Sequence, residues 1–272
     1  MAVGVCTWTL GTRDLQELMQ TIAKLGFDAV QYCEDLDAYS PDAVAKAAKD
    51  NGLKIMAVDP FNCRPPSDAD ATLDGVVAFY SRAVDLSAAL GPNIPVCLQG
   101  MSTWTVTQAD DQSQWDMLVS ACRTIAEYAA EKSVPLLYEL CNRYEVPLMH
   151  NSGDYQRLIR ALGGANIGVL LDSFHMNIEE EHDPCQVIRR FASKTGIYHI
   201  SDSNRGGIGT GHIDFVAQFR ALYQGGFSGD VAMEVVLPHR GPSGAPRNDA
   251  ENQQLHGQLR RSLRVWHDLA RR

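Results

Sequence analysis

The chain has 272 residues and a formal net charge of −9. A protein that follows a nucleic-acid backbone normally carries a basic face, so this charge balance argues against nucleic acid as a partner. The most apolar runs have the length of β-strands and fall far short of the roughly 18 apolar residues that a transmembrane helix needs. The N-terminus has no basic region followed by a long apolar core, so we expect neither a membrane span nor a secretory signal.

Apolar runs of strand length alternate with helical stretches along the whole chain. The eight candidate strands are residues 3–7, 29–32, 54–58, 95–98, 135–139, 167–172, 197–201 and 231–235. Such runs, separated by amphipathic segments, indicate parallel strands that are buried on both faces. Eight βα repeats close most naturally into a barrel, which typically takes about 250 residues. The sequence therefore predicts an α/β protein with a single (β/α)₈ TIM barrel, and we expect residues 1–272 to form one domain.

The amphipathic helices between the strands support this prediction at both ends of the chain. Leu15, Leu18 and Ile22 follow a helical spacing, and Gly26 follows them as a stop signal. A similar apolar stripe runs through residues 255–269, with arginines on its polar face. We interpret that stripe as the last outer helix of the barrel and its arginines as solvated cations near the helix end.

The seven cysteines indicate buried free thiols. No CxxC or CxxH spacing is present, and several of them fall in or at the ends of predicted strands. Free cysteine behaves as a small hydrophobic residue, and unpaired thiols are typical of a reducing compartment. We therefore expect a cytoplasmic protein. A catalytic cysteine is the less favoured alternative, because no histidine lies nearby in a nucleophilic motif.

Four successive predicted strands end in residue types that bind metals. Glu139 closes strand five, Asp172 closes strand six, His199 lies near the end of strand seven, and Glu234 lies near the end of strand eight. Burying a carboxylate without a partner is costly, and a shared cation would neutralise three at once. Three carboxylates and one imidazole suit Mn²⁺, Mg²⁺ or Co²⁺. Each residue alone is more often an ion-pair partner or a helix cap, but the four together predict a divalent-metal site.

The sequences that flank these residues carry a family resemblance. The segments are NRYE at residues 142–145, HMNIEE at residues 175–180, and a histidine and an arginine separated by five residues at 199–205. Together with Met233 and Glu234 they resemble the ketose 3-epimerase family, the D-tagatose and D-psicose 3-epimerases, within the xylose-isomerase-like barrel superfamily. The similarity is dense over residues 139–234 and loose over the first half of the chain, including the stretch at residues 59–62.

The resemblance implies a role for each matching residue. It implies that the four strand-end residues bind the metal, and that Glu139 and Glu234 also move the proton. It implies that His175 and Arg205 hold the carbonyl and hydroxyl oxygens of the substrate. Glu145 matches a residue near the same end of the sugar.

Two of these assignments have structural alternatives. Arg205 could simply pair with Asp202 or Glu179, and His175 could orient a neighbouring ligand without touching the substrate. Trp8 and Trp104, near the ends of strands one and four, fit either an apolar wall for a sugar face or ordinary core packing.

Three loops are expected at the mouth of the barrel, where ligands bind. Residues 62–70 follow strand three, and residues 237–251 follow strand eight and could form a mobile lid or an oligomer contact. The glycine-rich residues 206–211 follow strand seven. We favour a flexible cover for that segment over a phosphate cradle, because no lysine lies nearby.

Epimerising a carbon next to a ketone requires a base on each side of a near-planar enediolate, and a metal can stabilise that species. We therefore expect a divalent-metal-dependent epimerase or isomerase of a ketose or keto-sugar derivative. It would use Mn²⁺, or Co²⁺ or Mg²⁺, without an organic cofactor, and its substrate would be a small-molecule sugar. We expect a homodimer or homotetramer. The alternatives are a 3-keto-glycoside or inosose isomerase, a keto-sugar lyase or dehydratase on the same barrel, and a non-catalytic sugar-binding barrel. A DNA-repair endonuclease on this barrel is disfavoured by the acidic charge.

Overall fold

The computed structural model describes residues 1–12, 14–240 and 244–271. The loop predicted at residues 237–251 includes residues 241–243, which lie outside the described residues. Its interpretation as a lid or an oligomer contact therefore stays a prediction.

The eight strands form one closed parallel barrel in chain order, in which each strand pairs with the next and the last pairs with the first. They are β1 (Val3–Cys6), β2 (Ala29–Tyr32), β3 (Lys54–Val58), β4 (Val96–Cys97), β5 (Leu136–Glu139), β6 (Ile167–Asp172), β7 (Thr195–Ile200) and β8 (Asp230–Met233). The predicted TIM barrel is confirmed. Strand β4 is shorter than predicted, and β7 begins two residues earlier.

Helices surround the barrel. They are α1 (Leu15–Leu25), α2 (Pro41–Asp50), α3 (Leu73–Leu90), α4 (Asp111–Glu131), α5 (Ser152–Ala161), α6 (Ser173–Glu179), α7 (Pro184–Phe191), α8 (Phe215–Gln224) and α9 (Asp249–Ala270). The side chain of Asp14 caps α1 by accepting from the Glu17 backbone N–H, and Gly26 ends that helix at a φ of 96°. Within the part of the chain that the structure describes, no helix is both long and apolar enough to cross a membrane.

Two hydrophobic clusters form the core. The larger lies between the strands and the helices, and the smaller fills the inside of the barrel. In the inner cluster, Leu137 is accommodated by glycines on the two following strands. A Cβ added at Gly196 would lie 2.5 Å from Leu137 Cδ2, and one at Gly168 would lie 2.8 Å from the same atom. Large side chains therefore fill the half of the barrel where these strands begin, and the mouth is left to polar groups.

The cysteines behave as predicted. All seven are free, and all but Cys185 are buried. Cys6, Cys33 and Cys97 belong to the cluster inside the barrel. Burial raises the pKa of the Cys6 and Cys97 thiols well above the ordinary value, which keeps them neutral and unreactive.

Candidate active site

The four predicted strand-end residues converge at the mouth of the barrel. Strands β6 and β7 are paired so that Asp172 lies beside His199, and both side chains are fully buried. His199 Nδ1 lies 3.1 Å from Glu139 Oε1, 3.6 Å from Asp172 Oδ2 and 3.6 Å from Glu234 Oε2. One imidazole nitrogen therefore faces three carboxylates.

Several of these atoms lack a hydrogen bond within the described residues. Both carboxylate oxygens of Glu139, the Oδ2 atom of Asp172 and the Nδ1 atom of His199 are buried without one. Carboxylates and an imidazole gathered in a buried volume without partners are costly, and a divalent cation would satisfy them together. The donor set of three carboxylates and one imidazole fits Mn²⁺, Co²⁺ or Mg²⁺.

The tautomer of the neutral His199 ring is the one that can bind a metal through Nδ1. Its Nε2 atom lies 2.8 Å from Gln31 Oε1, which can only accept a hydrogen bond. Nε2 therefore carries the hydrogen in the neutral ring, and Nδ1 presents a bare lone pair to the carboxylates. A nitrogen must be in this state to bind a metal.

His175 is a rival fourth ligand by distance alone. One of its ring nitrogens lies within 4.8 Å of oxygens from Glu139, Asp172 and Glu234. However, His175 Nδ1 accepts a hydrogen bond from the Asn142 backbone N–H at 3.1 Å, so the hydrogen of the neutral ring resides on Nε2. Burial lowers the pKa of His175, which favours this neutral form. His175 is therefore a hydrogen-bond donor at the site, and His199 is the better ligand.

Asp172 combines two functions that the sequence presented as alternatives. Its Oδ1 atom accepts from the His175 backbone N–H at 2.9 Å and thereby caps α6. Its Oδ2 atom has no such partner and faces His199. The carboxylate is thus a helix cap through one oxygen and is available to a cation through the other.

Arg205 joins the predicted substrate-binding residues to the cluster. Its Nη1 atom donates to Glu145 Oε1 at 2.7 Å, and its Nη2 atom donates to Glu234 Oε2 at 2.9 Å. The guanidinium lies 5.0 Å from the ring centroid of Phe174, and the residue has a φ of 60°. A positive φ is unfavourable for arginine, and the two ion pairs offset that cost.

The alternative pairing of Arg205 with Asp202 or Glu179 is wrong. The Glu179 carboxylate pairs with Arg143 at 2.7 Å. The Asp202 carboxylate accepts from backbone N–H groups of its own loop, including that of Gly209 at 2.8 Å. Both carboxylates are thus satisfied elsewhere, which leaves the Arg205 guanidinium for the site.

The two carboxylates proposed for proton transfer have unlike surroundings. Burial raises the pKa of Glu139 to about 8, and the nearby His199 only partly opposes this rise. Burial also acts to raise the pKa of Glu234, but Arg205 and His199 outweigh it and hold that pKa well below the ordinary value. Burial disfavours a charged His199, yet Glu139 and Glu234 raise its pKa well above the ordinary value. Without a cation, the cluster therefore retains protons that a metal would displace.

Protein treated with a chelator is expected to become less stable as the pH rises from about 4.5 to 8. The pKa of Glu139 rises from 4.5 to about 8 on folding, so its stabilising effect is complete below 4.5 and is lost towards pH 8. The raised pKa of His199 acts in the same direction, whereas the depressed pKa of Glu234 affects stability only below its ordinary value of 4.5. Thermal unfolding in chelator at several pH values measures this. Glu139→Gln should reduce the slope, and an equal slope in that variant would contradict the assignment.

A cavity of about 710 Å³ opens beside Glu234 and Arg205. Trp8 and Phe61 line it, with their ring centroids 5.9 Å apart, and Trp8 Nε1 donates to Glu234 Oε1 at 3.1 Å. Trp104 instead donates to a backbone carbonyl and packs in the core. Trp8 thus provides the apolar wall, and Trp104 has the core role.

The glycine-rich loop at residues 206–211 has its backbone N–H groups occupied. Those of Gly207 and Ile208 donate to Gln258 and Ser262 of α9, at 2.8 and 2.9 Å. The loop is thereby fixed to the outer helix, and these groups are not available as a phosphate cradle.

The sequence did not indicate two polar residues near His199, which are Gln31 and Asp59. Gln31 accepts from His199, and its own amide donates to Asp59 Oδ2 at 2.8 Å. The available signals were a lone amide inside the apolar strand β2 and an aspartate directly after β3. Asp59 follows its strand much as Glu234 follows β8.

The fold and the mouth of the barrel define a class of protein, the xylose isomerase-like TIM barrels, whose family model matches residues 19–264. An L-ribulose 3-epimerase from Mesorhizobium japonicum is 32% identical over 229 residues, which cover 81% of this chain and 75% of that protein. A D-psicose 3-epimerase from Agrobacterium fabrum is 28% identical over 262 residues, which cover 93% and 84%. The chain therefore belongs to the xylose isomerase-like family, within its group of ketose 3-epimerases, and is a carbohydrate epimerase. The family resemblance of the sequence is confirmed.

A solved structure supports the fold independently. The D-psicose 3-epimerase of Clostridium cellulolyticum H10, determined with D-tagatose, superposes with a TM-score of 0.82 at 23% identity. The match covers 99% of each chain, so the whole barrel is shared.

Proposed function

We propose that this protein is a divalent-metal-dependent ketose epimerase that inverts the carbon next to the carbonyl of an unphosphorylated sugar. The observation that carries the proposal is the cluster beside the cavity, in which Nδ1 of His199 lies within 3.6 Å of three buried carboxylates. Glu139 and Asp172 keep oxygens in it without a hydrogen-bond partner among the described residues. The relatives named as L-ribulose and D-psicose 3-epimerases support carbon 3 as the reacting centre.

Glu139, Asp172, His199 and Glu234 would hold the metal in this proposal. When bound there, a divalent cation would polarise the carbonyl and hydroxyl oxygens of the sugar. We propose Mn²⁺, with Co²⁺ and Mg²⁺ as alternatives, because three carboxylates and one imidazole suit these ions better than a soft-metal site. Proton transfer next to a ketone requires no organic cofactor.

Glu139 and Glu234 would take and return the proton from the two faces of the sugar. Ligand atoms of both lie within 4.8 Å of one another, so both can reach one small substrate. The Nε2–H of His175 would donate to an oxygen of the sugar near the reacting carbon. Arg205 would donate as well, and Glu145 would keep its guanidinium in place through the 2.7 Å ion pair.

The charges that line the cavity favour a sugar without phosphate. Its carboxylates are Asp59, Glu145 and Glu234, while its cationic side chains are Arg64 and Arg205. The Arg205 guanidinium already pairs with two carboxylates. A phosphate dianion would thus meet more negative than positive charge, whereas hydroxyl groups can donate to the carboxylates.

The test is deuterium exchange by metal-loaded protein in D₂O with D-fructose, D-tagatose and L-ribulose. We expect deuterium at carbon 3 of at least one of them, together with the carbon-3 epimer, and loss of both after chelation. No exchange at a carbon beside the carbonyl, with any of the three or with 3-keto sugars, would sink the proposal. An ultraviolet-absorbing enone product would instead indicate the lyase alternative.

A glycosylated keto-sugar is a second candidate substrate. The cavity continues from Glu234 along the loop after β3, past Phe61 to Pro66, and this leaves room for a substituent on the sugar. Exchange at carbon 4 of a 3-keto-glycoside, without exchange in the free ketoses, would favour this candidate.

We also propose that residues 1–272 act as one catalytic domain in the reducing cytoplasm, which the seven free thiols support. A homodimer or homotetramer is the proposed assembly, and light scattering of the purified protein measures it.

A further inference from the structure

Gln31 has a fully buried side-chain amide inside the barrel, and the other residues of its strand β2 are apolar. Its position depends on an irregularity in the sheet. Val30 pairs with Ile55, but Gln31 pairs with Ala57, so the register between β2 and β3 skips Met56. Irregular register of this kind often re-aims a side chain next to an active site. Here it accompanies an amide that contacts both His199 and Asp59.

The orientation of this amide is set by the chemistry of its second partner. The NH₂ group of Gln31 donates to Asp59 Oδ2 at 2.8 Å, and an ionised carboxylate at that place can only accept. The carbonyl oxygen of the amide then faces His199 Nε2, also at 2.8 Å. A carbonyl oxygen can only accept, so the ring hydrogen is held on Nε2. Asp59 thus determines the tautomer of His199 indirectly, through the orientation of the Gln31 amide that lies between them.

No other contact to Nε2 among the described residues selects its protonation as firmly. The Cys6 thiol lies 3.8 Å from His199 Nε2, and the Cys33 thiol lies 3.8 Å from Asp59 Oδ2. Thiols are weak partners that can donate or accept, so they do not select a tautomer. The Gln31 amide, by contrast, presents one defined atom to each neighbour.

We propose that Gln31 and Asp59 are positioning residues that keep His199 Nδ1 bare and thereby set the affinity of the site for its divalent cation. The inference rests on the proposed function, because it requires that His199 binds a metal. Neither residue needs to touch the reacting atoms. If the amide turned over, its NH₂ group would face Nε2, the hydrogen would move to Nδ1, and the ligand lone pair would be lost.

The test compares three variants by calorimetric titration of chelator-stripped protein with Mn²⁺. Gln31→Leu removes the acceptor and is expected to weaken Mn²⁺ binding about 10- to 100-fold, the usual cost of losing such a partner. The exchange Gln31→Glu with Asp59→Asn returns an acceptor to His199, while the amide introduced at position 59 donates to the carboxylate introduced at position 31. We expect this double variant to bind Mn²⁺ within about fivefold of the wild type. Gln20→Leu, an exposed change of the same type on α1, is the matched control and should bind normally.

Recovery in the double variant would show that Mn²⁺ binding depends on an acceptor that faces His199 Nε2, and not on glutamine itself at position 31. The inference is overturned if Gln31→Leu binds Mn²⁺ within twofold of the wild type, or if the double variant binds no better than Gln31→Leu. Failure of the wild type itself to bind any divalent cation would instead overturn the proposed function.

A direct readout does not depend on the folding of any variant. In ¹⁵N-labelled wild-type protein loaded with diamagnetic Mg²⁺, long-range ¹H–¹⁵N spectra distinguish protonated from unprotonated ring nitrogens. We expect His199 to carry its hydrogen on Nε2 and none on Nδ1. The opposite tautomer would overturn the inference.

Discussion

Replacing Glu139 or Glu234 by glutamine is expected to lower the kcat of epimerisation at least about 100-fold, because a positioned acid or base contributes about 10²- to 10⁴-fold. Both carboxylates are buried at the mouth of the barrel and face the same atom of His199. Glutamine keeps the shape of the side chain but cannot take up the proton. The measurement is steady-state turnover at saturating Mn²⁺, with bound metal quantified in each variant.

Metal loss and loss of a base must be separated, since both residues are also proposed ligands. Each variant retains one carboxylate of the pair, so we expect it to exchange deuterium into one of the two epimers while interconversion collapses. An inactive, metal-loaded variant with this one-sided exchange identifies the missing base. Glu127→Gln, on the exposed face of α4, is the matched control and should keep full turnover. Normal turnover in a metal-loaded Glu139→Gln or Glu234→Gln would refute the assignment.

The strand-end residues could be predicted from the sequence because parallel strands in a barrel all end at the same mouth. Once the strands had been located by their apolar runs, a polar residue at each end had to join the others. For this reason Glu139, Asp172, His199 and Glu234 were found without knowledge of any distance. The apolar runs placed both boundaries of all eight strands within two residues of those in the structure.

The supporting contacts could not be predicted, because they depend on register and on side-chain direction. Gln31 reaches His199 where β2 and β3 skip one residue, and a strand pattern does not reveal such a skip. The partners of Arg205 depend on its positive φ, which is rare outside glycine. The sequence therefore left open whether Arg205 pairs with Asp202, although the choice follows at once from the geometry.

Removing the metal is expected to lower the thermal unfolding midpoint by roughly 5–10 °C relative to protein with Mn²⁺ at about 100 times its dissociation constant. Mn²⁺ at this concentration adds about 2.7 kcal/mol to the free energy of unfolding. Each kcal/mol shifts the midpoint of a domain of this size by about 2–4 °C. The physical reason is the cluster itself, in which three buried carboxylates lie within 3.6 Å of one imidazole nitrogen, so that a cation relieves their repulsion. Thermal denaturation followed by circular dichroism, with chelator and with Mn²⁺, measures the shift.

The variant Asp172→Asn distinguishes the destabilising effect of burying the Asp172 charge from the stabilisation that this charge provides when Mn²⁺ is bound. Asparagine is as good a helix cap as aspartate, so the bond from the His175 backbone N–H to the capping oxygen is preserved at the start of α6. An uncharged NH₂ group replaces the second oxygen, so the variant should lose most of the stabilisation by Mn²⁺. In chelator, however, it should be at least as stable as the wild type, because one buried carboxylate has been neutralised without loss of the cap. A full Mn²⁺-induced shift in this variant would show that Asp172 serves only as the cap of α6, and that the cation is bound elsewhere.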